Sequence, residues 1–187
     1  MPSKIEVKVE DNFLDEEVFK NIHLLFMGNM FPWYYQPTID FYEELEDKNK
    51  FQFVHVFYER CAPTSSTIEK IMPIMNKIDP IAIWRIKANL LTKTPNIIEN
   101  EFHIDMGQYE IQDGVVINTE GPPKILEQST TSIFYVNTNN GYTKFEDGTK
   151  VESVANRLIS FSSNTKHKGT SCTDEETRII INFNYFK

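Results

Sequence analysis

From Ile81 to its last residue the chain shows almost only strand patterns, and this constrains the fold more than any other feature. Ile81–Thr92, Glu101–Met106, Thr130–Asn137, Tyr142–Phe145, Lys150–Val154, Arg157–Ser162 and Thr177–Tyr185 are rich in β-branched and aromatic residues and are short. Asn139-Asn140-Gly141 and Glu146-Asp147-Gly148 separate some of them with turn chemistry. Short strands in such number pair antiparallel and bury their faces by forming two packed sheets or a barrel.

Helical signals are confined to the first 80 residues. Asp15 can cap a helix through about Met27, with Glu16 and Glu17 in its first turn and Gly28 just past its end. Val18, Ile22, Leu25 and Phe26 form its apolar face. Ser66-Thr67-Ile68-Glu69 reads as a capping box opening a second helix, which Pro73 should kink or split. Ile5, Val7 and Val9 alternate with charged residues as a half-buried strand does, and Phe51–Tyr58 reads as another strand. The expectation is an α+β fold: a double-stranded β-helix, or jelly-roll, barrel with N-terminal helices packed on one sheet. No repeat, linker or composition shift divides the 187 residues, so one domain is expected, with support in 1–80 and the barrel in 81–187.

Apolar content of 40% and aromatic content of 13% suit a folded globular chain. A net charge of −8 argues against a broad phosphate-binding surface, and hence against direct nucleic-acid binding. No apolar run reaches membrane-span length, and the N-terminus lacks the apolar stretch of a signal peptide. A cytoplasmic location with no membrane partner is the default expectation. Cys61 and Cys172 are too few for a disulfide scaffold, and in that compartment they are read as reduced thiols.

Against this background His103-Ile104-Asp105 stands out. Residues two apart on a strand point to one face, so His103 and Asp105 can share a ligand. A third ligand from a distant strand, His167, would complete a set of two histidines and one carboxylate. Such a set leaves several positions open on non-haem Fe(II), as oxygen chemistry requires. Arg178 follows on the last strand and offers a bidentate fork to a carboxylate-bearing cosubstrate. Other readings compete for each residue. His103 and Asp105 could be a metal-free surface pair, and His167, between Lys166 and Lys168, a solvated loop residue. Arg178 could pair at the surface with Asp174, Glu175 or Glu176.

The order of RIKANL (85–90), FHID (102–105), FYVN (134–137), GYTKF (141–145), RLISF (157–161), KHKGT (166–170) and TRIIINFNY (177–185) resembles the 2-oxoglutarate/Fe(II)-dependent oxygenase superfamily, its prolyl-hydroxylase-like branch in particular. Including NFLDEEVFKN and FPWYYQP, the chain is also similar to a small group of oxygenases from marine phages and environmental sequences, which would place it in a host cytoplasm. The resemblance implies His103, Asp105 and His167 as iron ligands and Arg178 as partner of the distal carboxylate of 2-oxoglutarate. It also implies Tyr135 as a phenol offered to that carboxylate and Asn89 as a further cosubstrate contact. The cofactors implied are Fe(II), with 2-oxoglutarate and O2 as cosubstrates and ascorbate in support. The reaction implied is hydroxylation through a ferryl-oxo species, with release of succinate and CO2. The primary substrate, a small molecule or a peptide, is not named by the sequence. A peptidyl-prolyl hydroxylase is the narrower alternative, and a catalytically silent binding or structural module is the rival class. Two departures from the branch pattern, Tyr142 in place of a second glycine and the long segment 107–128, are expected near substrate entry.

Remaining candidates have plainer readings. Tyr135 suits a core or rim position as well as a site. His55 alternates with Phe51, Phe53 and Phe57 and is read first as a satisfied core histidine. The aromatics of FPWYYQP suit a hydrophobic clasp or a wall of a substrate groove. Glu43, Glu44, Glu46 and Asp47 form a solvated face.

Overall fold

A computed structural model describes residues 4–39, 50–59, 61–105 and 128–187, together with the backbone of 109–112 and 115–118. The acidic run 43–47 lies outside these residues.

In chain order the elements are β1 (Lys8–Glu10), α1 (Glu16–Met27), β2 (Tyr34–Gln36), β3 (Gln52–Glu59), β4 (Ala62–Pro63), a 3-10 turn (Ser66–Ile71), α2 (Met72–Ile78) and β5 (Ala82–Thr92). The hairpin β6 (Tyr109–Gln112) and β7 (Val115–Asn118) follows. Then come β8 (Ser129–Tyr135), β9 (Tyr142–Phe145), β10 (Lys150–Glu152), β11 (Arg157–Ser162), β12 (His167–Gly169) and β13 (Thr177–Phe186). The large sheet has the order β1-β11-β8-β13-β5-β3-β2, with β4 on β3. The small sheet is β10-β9-β12, and antiparallel bridges Glu99–Thr170 and His103–His167 add the segment before Asp105 to its open edge. Of the expected strand Glu101–Met106, the described residues 101–105 carry a single bridge, at His103, and Met106 lies outside the described residues.

Alternation on the strands divides the large sheet into two faces. Ile86, Ala88 and Leu90 of β5 and Ile179, Ile181, Phe183 and Tyr185 of β13 join Ile22 and Phe26 of α1 and Ile74, Met75 and Ile78 of α2 in one apolar core. The helices therefore pack on the outer face. The alternate residues of β13 are Arg178, Ile180, Asn182 and Asn184. Ile180 belongs to a second cluster with Ile133, Tyr135, Ile159 and Phe161 of the large sheet and Phe145 and Val151 of the small one. That cluster lies between the sheets and marks the interior of a jelly roll.

Local chemistry explains most departures in the supporting elements. Ser65, not Ser66, caps the turn by accepting from Thr67 N, and Pro73 splits the segment into a 3-10 turn and a short α-helix. Phe31 and Trp33 stack around Phe26 of α1, so the start of the aromatic loop is a clasp on the outer face. His55 is buried there, its Nδ1 2.8 Å from Pro32 O and its Nε2 2.8 Å from Ser65 Oγ, a satisfied core histidine. Cys61 and Cys172 are both free thiols. Among the described residues no helix is long and apolar enough to cross a membrane.

Candidate metal and anion site

His103 and His167 face each other across a two-way backbone bridge, each N–H donating to the other's carbonyl at 3.0 Å. Their rings lie 4.8 Å apart. Asp105, two residues on, returns to the same face: its Oδ1 is 3.7 Å from His103 Nε2 and its Oδ2 4.0 Å from His167 Nε2. The three potential ligand atoms all lie within 4.8 Å of one another. His103 and Asp105 are thus no surface pair, and His167 is no solvated loop residue but a buried member of β12.

Backbone carbonyls orient both imidazoles. His103 Nδ1 donates to Glu101 O at 3.2 Å, and His167 Nδ1 to Thr165 O at 3.1 Å. A carbonyl can only accept, so in the neutral form of each ring the lone pair sits on Nε2, the nitrogen facing Asp105. Burial pushes His167 down to about 4, so it is neutral at physiological pH. Burial opposes ionisation of Asp105, but its neighbours His103, His167 and the Arg85 guanidinium outweigh it and hold the carboxyl below the usual range. A neutral His167 beside an ionised Asp105 is the protonation state that divalent metal binding requires.

The second half of the site lies on the same inner face, around Arg178. Its side chain is 1% exposed, and burial disfavours its charge. Nε donates to Ser153 Oγ at 2.8 Å and Nη2 to Thr143 Oγ1 at 3.4 Å, while the guanidinium carbon sits 5.8 Å from the Tyr135 ring centre. No carboxylate of a described residue pairs with it; Asp174, Glu175 and Glu176 do not reach it. Tyr135 is fully buried, and its hydroxyl donates to Thr143 Oγ1 at 2.8 Å. A Cβ at Gly141 would stand 2.6 Å from Arg178 Cδ, so glycine is what lets the arginine stem pass. Asn89 faces the same interior, opposite Ile180, with its Oδ1 unpartnered.

Ser153, Thr143, Arg85 and Asn184 were not singled out from the sequence. Arg85 Nη2 donates to Asp105 O at 3.1 Å, and Asn184 Nδ2 to Asp105 Oδ2 at 3.1 Å. Small polar residues at inward positions of strands that otherwise bury apolar ones are the signal for such partners. Tyr142 proves to be on the other side. Thr143 and Phe145 point inward, so Tyr142 and Lys144 face outward. There the Tyr142 hydroxyl donates to Glu99 Oε1 at 2.6 Å, and Lys144 and Lys168 bind the same carboxylate. Those partners, Lys168 first, hold Glu99 down to about 2. Tyr142 therefore fastens the segment before the triad from the outer side of the small sheet. Of segment 107–128, β6 and β7 form a hairpin; the rest of that expectation lies outside the described residues.

The residues present fit a metal and an anion. Arg85 Nε, Asn89 Oδ1, Asn182 Oδ1 and Asn184 Oδ1 are buried on the inner face without a hydrogen-bond partner among the described residues. Leaving such groups unpaired costs about 1–3 kcal/mol each, which a polar guest would offset.

No protein-family model matches the chain, and no curated protein does. Solved structures do. A prolyl hydroxylase from Trichoplax adhaerens, in complex with a hypoxia-inducible-factor oxygen degradation domain peptide, superposes with a TM-score of 0.60 at 12% identity, over 96% of this chain and 83% of that one. The non-heme alpha-ketoglutarate-dependent epimerase SnoN of nogalamycin biosynthesis gives 0.59 at 9% identity, over 98% and 77%. HygX from Streptomyces hygroscopicus, solved with nickel and 2-oxoglutarate bound, gives 0.56 at 6% identity, over 97% and 83%. At these identities the likeness establishes a shared fold: the jelly roll on which 2-oxoglutarate/Fe(II) oxygenases are built.

Proposed function

We propose that the protein is an Fe(II)- and 2-oxoglutarate-dependent oxygenase that hydroxylates its substrate. The observation that carries this reading is Arg178: a buried guanidinium without a carboxylate partner among the described residues, on the same interior as a preformed two-histidine, one-carboxylate cluster. An isolated buried charge is costly, and a dicarboxylate reaching from the triad to Arg178 would offset that cost.

His103, Asp105 and His167 would hold the iron, and iron so held supplies a Lewis-acidic, redox-active centre with open positions for cosubstrate and dioxygen. Arg178 would take the distal carboxylate of 2-oxoglutarate, fixed in direction by Ser153 and Thr143. Tyr135 shares Thr143 with Arg178 and closes one wall of the same space. Asn89 would turn its unpartnered amide oxygen toward that space from the neighbouring strand, next to Ile180. The apolar residues between the sheets, Ile133, Phe145, Ile159 and Phe161, keep water from the reacting centre. The resemblance to prolyl hydroxylases, shared by one of the structures above, makes a peptidyl-proline the first substrate to try. The net charge of −8 makes nucleic acid the least favoured class.

The test is succinate release from 2-oxoglutarate with Fe(II), O2 and ascorbate, screened over proline peptides, free amino acids and nucleosides. Stimulation by one class, abolished in His167→Ala, is the expected result. A protein that binds neither metal nor 2-oxoglutarate is instead a silent jelly-roll module.

A further inference from the structure

Asp105 has two carboxylate oxygens, and the protein treats them differently. Oδ2 accepts a directed hydrogen bond from Asn184 Nδ2 at 3.1 Å. Oδ1 has only longer contacts among the described residues, 3.7 Å to His103 Nε2 and 3.6 Å to Arg85 Nη2, whereas Oδ2 has the amide hydrogen bond as well as His167 Nε2 at 4.0 Å. Asn184 itself is fully buried, and both hydrogens of its amide nitrogen are in use. The second goes to Thr131 Oγ1 at 3.0 Å, and the Thr131 hydroxyl in turn donates to Ser163 Oγ at 3.0 Å. Thr131 therefore turns a lone pair toward Asn184. This chain fixes the amide with nitrogen toward Asp105; rotated, it would set oxygen against carboxylate oxygen. The register of β13 against β5 shifts just after Asn184, where Trp84 is the extra residue between Ile83 and Arg85. A bulge at this point re-aims the two side chains that grip Asp105.

We propose that Asn184 is a positioning residue that holds Asp105 to coordination through Oδ1 alone. This rests on the function proposed above. An oxygen that already accepts a strong hydrogen bond is the poorer metal donor, so the metal takes the other. The consequence concerns open positions. Three single-atom ligands leave three sites on a six-coordinate ion, two for a chelating 2-oxo acid and one for dioxygen. If Asp105 bound through both oxygens, it would occupy one of the sites that the cosubstrate and oxygen need. Asn184 thus keeps the centre open without touching either. Arg85 has a different part. Its hydrogen bond is to the Asp105 backbone carbonyl, and it anchors the end of the ligand-bearing segment.

The experiment uses Co(II), which reports coordination in its visible spectrum and does not turn over. In Asn184→Ala, Oδ2 loses its hydrogen bond and joins Oδ1 on the metal. Co(II) affinity should hold, the d–d bands should change, and 2-oxoglutarate affinity of the Co(II) protein should fall about 10- to 100-fold, the size of outer-shell effects at metal sites. An unchanged spectrum with unchanged 2-oxoglutarate affinity overturns the proposal. So does a parallel loss of Co(II) affinity, which would mean that Asn184 merely holds the triad together. Should the variant fail to fold, a crystal structure of the Co(II)-loaded wild type decides. Oδ1 on cobalt with Oδ2 on Asn184 upholds the proposal, and both oxygens on cobalt ends it. A wild type showing single-oxygen coordination but no affinity for 2-oxoglutarate would refute the oxygenase reading and leave the role of Asn184 standing. A wild type that takes up no cobalt refutes both.

Discussion

The two faces of β5 and β13 come from the same strands, yet they are built to opposite rules. On the outer face Ile179, Ile181, Phe183 and Tyr185 meet Ile86, Ala88 and Leu90 under the helices, and even the buried His55 has a partner for each nitrogen. On the inner face the alternate positions carry Arg178, Asn182 and Asn184 against Arg85 and Asn89, and four polar atoms there have no partner among the described residues. The outer face stabilises the fold by excluding water from well-filled apolar contacts. The inner face costs stability that only a guest with charge and hydrogen-bonding atoms returns. A face that departs so far from ordinary core chemistry, beside a face that keeps it, marks where a ligand belongs.

Substitutions across the sheet should therefore separate binding from stability. Arg178→Ala should weaken 2-oxoglutarate binding by about 3–5 kcal/mol, as loss of one partner of a buried charge pair does, with metal affinity nearly unchanged in calorimetry. Without ligand it should melt no lower than the wild type, because a buried charge with no counter-charge has been removed. Phe183→Ala, a few residues on but facing the helices, should do the reverse. Truncating a buried phenylalanine costs about 3–5 kcal/mol of stability in urea titration, while affinity per folded molecule stays the same. If both variants lost stability alike, the contrast between the faces would be broken.

Acid should act on the inner face first. The folded pKa of His167 is pushed down by burial to about 4, below the ordinary value near 6.5. Between these values the unfolded chain binds more protons than the folded one. The contribution is therefore fully present above pH 6.5 and is lost as pH falls through about 4. Apoprotein stability followed from pH 7 to 4 should decline less steeply in His167→Gln than in the wild type. The smallest effect sharpens the comparison within the site. Tyr135→Phe removes one hydroxyl from the pair it makes with Thr143 and should cost about 1 kcal/mol of 2-oxoglutarate binding, the usual worth of one hydrogen bond. A loss as large as that of Arg178→Ala would give the phenol a weightier role.

Much of this was legible in the sequence, for identifiable reasons. The His103-Ile104-Asp105 spacing sets two side chains on one face wherever the backbone is extended, regular strand or not. Arg178 opening the apolar run Ile179–Ile181 already pointed inward. The partners were less legible, because they are created by pairing. Ser153 and Thr143 reach Arg178 from the small sheet, and Asn184 reaches Asp105 across 79 positions. Their one local mark, a small polar residue at an inward position, names no partner. The motif departure at Tyr142 says nothing of its direction, which strand alternation sets outward, toward Glu99. Residues 101–105 of the strand expected at Glu101–Met106 form no regular element because, among the described residues from Glu99 to Asp105, only His103 and Glu99 find bridge partners, on β12 and just beyond it.

The most direct test of the oxygenase reading is an anaerobic titration of 2-oxoglutarate into the Fe(II)-loaded protein, followed by visible absorption. A 2-oxo acid chelating Fe(II) gives a metal-to-ligand charge-transfer band that the separate components lack. The account predicts a band that saturates at one equivalent in the wild type, needs far more cosubstrate in Arg178→Ala and is absent in His167→Ala. An Fe(II)-loaded wild type showing no such band at saturating 2-oxoglutarate would contradict it.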